Sequence, residues 1–299
     1  MIRKFLKWIG IVLGSLIGLL VVAFVVLAII GGARANKKHD IPVETISVPT
    51  GAEAIQRGEH VARIHFCQAC HAENFSGMRY FDVPGLLSIP TPNLTSGAGG
   101  VSSRYTHDDW VRAIRHGVGY DGRALWVMPS ISFSHLSDDD LGALIAYLKS
   151  RPPVDNELPE RTFEPLGRVM LALNMMPPVS VDQIDHTASH ANALEPGVTV
   201  EYGEYLASTT CIECHGTQLN GIPFGPPGNQ TPTPNLTPGG EMAFWSEEDF
   251  IATLRTGVTP SGHQLSETMP WKYFGQMTDE ELQAVWLYLQ SLPALEQGK

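Results

Sequence analysis

The chain has 299 residues, 43% of them hydrophobic, and a net charge of −11 at neutral pH. Its length exceeds that of one typical domain, so we expect two folding units and additional segments. The first 38 residues carry six basic residues and no acidic one, which leaves 14 basic against 31 acidic residues in the remainder. Nucleic acids and anionic headgroups would repel such an acidic body, so no nucleic-acid partner is expected, whereas a basic protein partner would be attracted.

The N-terminal segment, residues 1–35, is predicted to be a transmembrane anchor. No charged residue occurs between Trp8 and Ala33, and a helix of that length can cross a hydrocarbon layer of about 30 Å. A cleaved signal peptide has a shorter apolar core, although an Ala-x-Ala sequence at the end of the segment imitates a cleavage site. The three basic residues on each flank do not decide the orientation. Residues 36–50 are expected to tether the anchor to the first domain.

The rest of the chain contains one sequence pattern twice. The pattern comprises a CxxCH motif, a PTPNLT segment, a Met-Pro pair and a closing helix, at 67–71, 90–95, 128–129 and 137–150 and again at 211–215, 232–237, 269–270 and 278–291. We therefore predict a duplicated domain, at residues 51–151 and 198–299. The Pro-rich residues 152–197 are predicted to form an extended, semi-rigid linker. Its apolar segment 166–176 is expected to dock on a domain, so that the two units pack together.

Both repeats are predicted to be helical. Four helix starts carry the capping-box pattern, in which Ser or Thr is followed three residues later by Asp or Glu, and they begin at Thr106, Ser137, Ser246 and Thr278. Gly117 and Gly257 are expected to end two of these helices. Further helices are predicted to run from Ala52 and from Val200 into the CxxCH motifs. We find no competing strand pattern, so the predicted fold class is all-α, with two tandem units after one N-terminal transmembrane helix.

The motifs CQACH and CIECH contain all four cysteines of the chain. A zinc site would need four ligands, and each motif offers three. A redox-active Cys-x-x-Cys pair normally belongs to a thioredoxin-like sequence with strands and does not need the histidine. Covalent haem attachment accounts for every residue of the motif, so we predict it for both repeats.

Each motif is predicted to bind one haem c group covalently. Cysteines three residues apart lie on one face of a helical turn and can form two thioethers with the vinyl groups of one macrocycle. The following histidine then lies beneath the ring and supplies an imidazole to the iron. The predicted attachment residues are Cys67, Cys70 and His71 in the first domain and Cys211, Cys214 and His215 in the second.

The second axial ligands are predicted from the repeat. Met128 and Met269 each precede a proline and stand in the loop before the closing helix. A thioether ligand would complete six-coordinate iron and raise its reduction potential relative to two imidazoles. Met176 also precedes a proline, but it has no counterpart in the other repeat. We keep it as a distant alternative.

Other residues of the repeats have two possible roles. Asn93 and Asn235, in the PTPNLT segments, could make a turn or hydrogen-bond a haem propionate. Four tryptophans are expected in the haem pockets or the core: Trp110, Trp126, Trp245 and Trp271. Six histidines have no histidine at the matching place and are expected at the surface or in supporting positions: His60, His65, His107, His116, His135 and His263.

The repeated motifs resemble the class I cytochrome c domain. Over residues 51–292 the chain also resembles the membrane-anchored multihaem cytochrome c subunits of periplasmic alcohol and sugar-acid dehydrogenases. The shared features are PTPNLT, the helices WVRAIRHG and FIATLRTG, the Met-Pro pairs, and the closing LxAxxxYL pattern. Those subunits usually carry three haem motifs, whereas this chain carries two.

Haem attachment takes place on the outer face of the bacterial membrane, so the body of the chain is expected in the periplasm and residues 1–7 in the cytoplasm. The expected function is electron transfer, not catalysis. A periplasmic dehydrogenase or a quinol-oxidising complex would be the donor, and a terminal oxidase or a soluble cytochrome the acceptor. The alternative is a dihaem redox enzyme of the peroxidase or thiosulfate-oxidising type. Such an enzyme needs an open or unusual distal position, against which a methionine at both matching positions argues.

Overall fold

The computed structural model describes residues 2–190, 194–225 and 230–298. The first helix, α1 (Ile2–Ala35), is long and apolar enough to cross a membrane. Among the described residues it is the one helix with that length and hydropathy. The predicted N-terminal helix is therefore present. Two mainly helical units follow it.

The first unit contains α2 (Ala52–Ile64), α3 (Cys67–His71), β1 (Met78–Val83), β2 (Leu87–Thr91), α4 (His107–His116), α5 (Ser130–Phe133) and α6 (Asp138–Lys149). The connection contains β3 (Thr162–Phe163), α7 (Pro165–Ala172) and a 3₁₀ turn at Ser180–Asp182. The second unit contains α8 (Val200–Thr210), α9 (Ile212–His215), β4 (Pro223–Phe224), β5 (Thr231–Pro232), a 3₁₀ turn at Glu241–Phe244, α10 (Glu247–Thr256), α11 (Trp271–Phe274) and α12 (Asp279–Ser291).

The first and last helices of each unit pack against each other at a glycine. A Cβ atom added to Gly58 of α2 would lie 2.0 Å from the carbonyl oxygen of Ala143 in α6. A Cβ added to Gly203 of α8 would lie 1.9 Å from the carbonyl oxygen of Ala284 in α12. The helices therefore touch backbone to backbone, and the same crossing fixes both units.

The predicted helix caps are largely confirmed. Full capping boxes begin α4, α10 and α12, and Gly117 and Gly257 end α4 and α10 in the left-handed region, with φ of 67° and 74°. At α6 only half of the box forms. The Ser137 hydroxyl accepts from the Asp140 N–H, but the Asp140 carboxylate accepts from Arg57 and Tyr205 instead.

Two expectations about local structure were wrong. The helix expected to run from Ala52 into CQACH breaks at Phe66, which has a left-handed φ of 46°. Strands also exist: β1, β2 and β3 form one antiparallel sheet, and β4 pairs with β5. Strand β2 buries every second residue, which is the period of a strand, but it has only five residues and contains a proline. The fold remains mainly helical.

Residues 36–50 pack on the first unit as well as linking it to α1. Ile46 joins the core of that unit. The Glu44 carboxylate accepts hydrogen bonds from the Arg115 guanidinium, which is fully buried, and from His116. Burial alone would raise the pKa of Glu44, but these bonds lower it to about 2. The segment is therefore a fixed part of the first unit.

The contacts between the two units include an apolar one, where Ile64 joins the core cluster of the second unit, and two equivalent polar pairs. His60 of α2 binds the Glu281 carboxylate at the start of α12, with Nε2 2.7 Å from Oε1. The Tyr205 hydroxyl of α8 donates to Asp140 at the start of α6, with a distance of 2.5 Å. His60 matches Tyr205 in the repeat and Asp140 matches Glu281, so exchanging the units maps one contact onto the other. The interface is pseudo-two-fold, and it forms without the linker helix α7.

We expect Tyr205→Phe to weaken this interface. The change keeps the aromatic ring and removes a hydrogen bond to a charged carboxylate, which is worth about 1–3 kcal/mol. The free energy of unfolding, measured by urea titration of the full chain in detergent, should fall by that amount. Tyr202→Phe is the matched control, because its hydroxyl lies 3.4 Å from Glu281 within the second unit and should matter less. Equal effects of the two changes would contradict the conclusion that the Tyr205–Asp140 hydrogen bond stabilises the interface.

Candidate haem sites

The four residues predicted to bind the first haem lie around one cavity. Cys67, Cys70 and His71 reach it from α3, and Met128 reaches it from the loop before α5. The cavity has a volume of 520 Å³. Its walls are largely apolar and include Ile89, Leu94, Trp110, Ile114, Leu144 and Leu148. The fold therefore brings a thiol pair, an imidazole and a thioether to the same space.

The PTPNLT segment holds each CxxCH motif in place. Thr91 donates its hydroxyl hydrogen to the carbonyl oxygen of Cys70, and Thr233 does the same for Cys214 at 2.7 Å. These bonds satisfy carbonyl groups at the end of a short helix, where no intrahelical partner exists. The motif is thereby fixed against the segment that follows it.

The same segment orients the predicted histidine ligands. Nδ1 of His71 lies 2.9 Å from the carbonyl oxygen of Pro92, and Nδ1 of His215 lies 2.9 Å from that of Pro234. A carbonyl oxygen only accepts, so Nδ1 carries the hydrogen and Nε2 keeps its lone pair for a metal. Burial lowers the pKa of both imidazoles, which favours the neutral form that binds metals.

The two predicted methionine ligands stand in matching turns. The carbonyl oxygen of Met128 accepts from the N–H of Ser130 at 2.8 Å, and that of Met269 accepts from the N–H of Trp271 at 2.8 Å. In both turns the intervening residue is a proline, and a short helix begins directly after it. The alternative, Met176, packs in the apolar cluster around Phe163 and Leu171.

The second unit repeats this arrangement. Cys211 and Met269 both pack against its core, and His215 is buried. Cys214 lies in α9 directly before His215, and its carbonyl oxygen accepts a hydrogen bond from the Thr233 hydroxyl. Residues 226–229, between β4 and β5, lie outside the described residues.

The polar groups around the first cavity suit a haem. The indole N–H groups of Trp110 and Trp126 are buried without a hydrogen-bond partner in the structure, and both side chains line the cavity. Arg161 also lines it, and its guanidinium donates to the carbonyl oxygens of Ala124 and Ala35 instead of to a carboxylate. Burial, and then the nearby Arg123, lower the pKa of Arg161 to about 10. A partly buried cation and free N–H groups in an apolar cavity fit a macrocycle that carries propionates.

The two alternatives weighed for the motifs, a redox-active dithiol and a zinc site, find less support. Burial raises the pKa of Cys67 to about 12 and that of Cys214 to about 11. Redox-active dithiols instead have a lowered pKa, because the thiolate is the reactive form. Among residues 2–190, 194–225 and 230–298, no group of three or more His, Cys, Asp or Glu side chains is arranged to hold a metal ion.

The structure decides the role of the paired asparagines. Asn93 Oδ1 accepts from the N–H and hydroxyl of Thr95, and Asn235 Oδ1 accepts from the same groups of Thr237. Their amide groups donate to main-chain carbonyls of Val154 and Leu295, both at 2.8 Å. The asparagines therefore make turns and anchor the segment that follows each closing helix.

Two further residues line the first site, and the sequence singled out neither of them for it. Arg161 belongs to the linker and has no counterpart in the repeat, so no sequence signal pointed to it. His65 also lines the cavity; Nδ1 bonds to the carbonyl of Val61, while Nε2 is buried without a partner in the structure. Burial lowers the pKa of His65 to about 4. Of its two expected places, the surface and a supporting position, the structure shows the supporting one. His116 is buried as well.

Family comparisons match both units. Residues 200–293 match the cytochrome c family model, and residues 53–148 match the model of the cbb3-type cytochrome c oxidase subunit III. The chain carries two cytochrome c domains. They bind two covalent haem c groups, which confirms the predicted cofactors, and such groups carry electrons. The matched ranges lie inside the repeats predicted at residues 51–151 and 198–299.

The curated relatives include several cytochrome subunits. The chain is 28% identical over 289 residues to the cytochrome c subunit of an alcohol dehydrogenase (quinone) of Gluconobacter oxydans, covering 82% of this chain and 56% of that one. It is 25% identical over 295 residues to the fructose dehydrogenase cytochrome subunit of Gluconobacter japonicus, covering 85% and 55%. It thus spans about half the length of these relatives. A diheme cytochrome c-type protein of Cereibacter sphaeroides is 27% identical over 274 residues, covering 80% of this chain and 86% of that one.

Proposed function

We propose that this chain is a membrane-anchored dihaem electron carrier. It would accept electrons from a periplasmic dehydrogenase or a quinol-oxidising complex and pass them to a terminal oxidase or a soluble cytochrome. The observation that carries the proposal is the matched pair of sites in two packed units behind one apolar helix. Relatives named as cytochrome subunits of alcohol and fructose dehydrogenases support a dehydrogenase as donor.

In each site the residues have distinct proposed roles. The thiols of Cys67 and Cys70, and of Cys211 and Cys214, would hold the haem covalently. His71 and His215 would each ligate iron through Nε2, oriented by the proline carbonyl bound at Nδ1. Met128 and Met269 would ligate from the other side. Bound haem would supply one-electron redox chemistry, and the apolar walls of the cavity would limit its contact with water.

The proposed setting is the bacterial inner membrane, with α1 as a single span and both haem units in the periplasm. The apolar run from Trp8 to Ala33 supports the span. Covalent haem attachment on the outer face supports the orientation. No substrate pocket is required, because the partners would exchange only electrons with the haem groups.

Reduction in native membranes tests the proposal. Membranes of the source bacterium and of a strain lacking this chain are supplied anaerobically with an alcohol, fructose or gluconate, and haem c reduction is recorded. We expect at least one donor to reduce the haem of this chain, and the signal to be absent without the chain. Purified ferric protein should remain low-spin and bind cyanide poorly. High-spin iron with rapid cyanide binding and peroxide turnover would instead favour the enzyme alternative.

A further inference from the structure

The connection between the two haem units carries an apolar helix against the end of the membrane span. The closest approach is at Gly31 of α1, where an added Cβ atom would lie 1.7 Å from the carbonyl oxygen of Arg168 in α7. Gly31 and Ala35 are the two buried residues of α1. Residues 2–26 of α1 are exposed, whereas Leu27, Ala28 and Gly32 are partly covered, so α7 lies beside the final turns of α1.

Arg34 places α7 relative to the membrane surface. It is the first charged residue after the uncharged run that begins at Trp8. Its guanidinium donates to the carbonyl oxygens of Leu171 and Ala172, at 2.9 and 3.1 Å, and to Oδ1 of Asn174 at 2.7 Å. A cation bound to the last carbonyls of a helix is favourable. The C-terminal end of α7 is therefore level with the end of the apolar span.

α7 has apolar side chains that the protein does not cover. Leu166, Leu173 and Met175, on and just beyond this helix, are 51%, 50% and 48% exposed. Its opposite side packs on the first unit, because Leu171 joins the cluster with Leu87 and Phe163. An eight-residue helix with one side in the core and apolar residues on the other is suited to an interfacial position.

The charges nearby match lipid headgroups. Although the body of the chain is acidic, Arg168 of the linker lies close to the end of α1, and Lys38 follows Arg34 there. Lys37, between them in sequence, pairs with Asp182. Basic residues next to a membrane span attract anionic lipids by about 1 kcal/mol each. Glu164 at the N-terminal cap of α7 favours the polar headgroup zone over the hydrocarbon.

We propose that α7 and the residues Leu166, Leu173 and Met175 lie in the outer headgroup region of the bilayer and hold the first haem unit against the membrane. The occupant of this surface is lipid, because the surface continues from the end of a helix with the length and composition of a membrane span. The inference rests on the proposed anchoring by α1. Arg161, which bonds to Ala35 at the end of α1 and lines the first cavity, connects the membrane surface to the haem site.

Photo-crosslinking of the full haem-loaded chain tests the proposal. The crosslinking residue benzoylphenylalanine is placed at Leu173, and in a second variant at Leu166, and the protein is reconstituted in vesicles of phosphatidylethanolamine and phosphatidylglycerol. Intact-mass analysis after irradiation reports covalent lipid. We expect a lipid adduct at either position, several-fold above that at Phe244, an 89% exposed residue of the second unit.

A reference position separates this inference from the anchor itself. The same residue at Leu19, within α1, should give a lipid adduct if α1 spans the bilayer. An adduct at Leu19 with none above the Phe244 level at Leu166 or Leu173 would overturn the placement of α7 alone. No adduct at Leu19 would overturn both the anchor and this proposal. In native membranes, a polypeptide adduct in place of lipid at Leu173 would show that a protein occupies the surface, which also overturns it.

Discussion

Met128→Ala and Met269→Ala should each change one haem and leave the other unaltered. Each substitution is expected to abolish one methionine-to-iron charge-transfer band and to lower one reduction potential by on the order of 100 mV, because the axial ligand sets the potential. We expect the same effect in both units because Met128 and Met269 stand in matching turns, each ahead of a short helix. Optical spectroscopy of the ferric protein and a potentiometric titration measure the two effects.

Met176→Ala is the control for these changes. Met176 also precedes a proline, but it packs in the cluster around Phe163 and Leu171. The substitution should lower the stability of the chain without changing the charge-transfer band or the reduction potential of either haem. Unchanged spectra in Met128→Ala, or a lost band in Met176→Ala, would refute the assignment of the first distal ligand.

Gly58→Ala and Gly203→Ala are expected to destabilise one unit each by about 3 kcal/mol, since overpacking a close contact typically costs 1–3 kcal/mol and sometimes more. In both cases the added methyl group would lie within about 2 Å of a backbone carbonyl of the closing helix. Alanine is the better helix former by about 1 kcal/mol, so the expected loss opposes the intrinsic propensity. Urea unfolding of the haem-loaded chain, followed by the haem absorbance, measures it.

Gly197→Ala provides the matched control for the crossing glycines. A Cβ atom at Gly197 would have no atom within 4 Å, and the residue has no left-handed φ. Its substitution should leave the urea midpoint within error of the original chain. If Gly58→Ala behaves like Gly197→Ala, the two helices must separate without cost, and the crossing is not what fixes the unit.

Features with a local signature could be predicted from the sequence. The capping boxes, the left-handed glycines that end α4 and α10, and the helical units depend on a few neighbouring residues. The repeat also related residues that are far apart in the sequence, because a residue found at the same spacing in both repeats is expected at the same place in both copies of the fold. In this way it singled out Met128, which the structure places on one cavity with the first cysteine motif.

Features that depend on contacts across the fold could not be predicted. Gly58 and Gly203 were visible as repeated glycines, but their reason is a carbonyl more than 80 residues away in each case. Arg161 occurs once, in a linker, and reaches the first cavity only because that linker returns past the end of α1. Strand β2 is too short for its two-residue period to stand out. Asp140 has the sequence of a full capping box, yet its carboxylate is drawn to Arg57 and Tyr205.

The reciprocal contact between His60 and Glu281 and between Tyr205 and Asp140 limits how this protein can meet others. Each unit uses the same face once, and a face used in this way is closed to a third copy. In the proposed function, electrons would then enter and leave through the outward sides of the pair. A donor and an acceptor could dock on separate units at the same time, so that the joined pair would act as a relay with two ends.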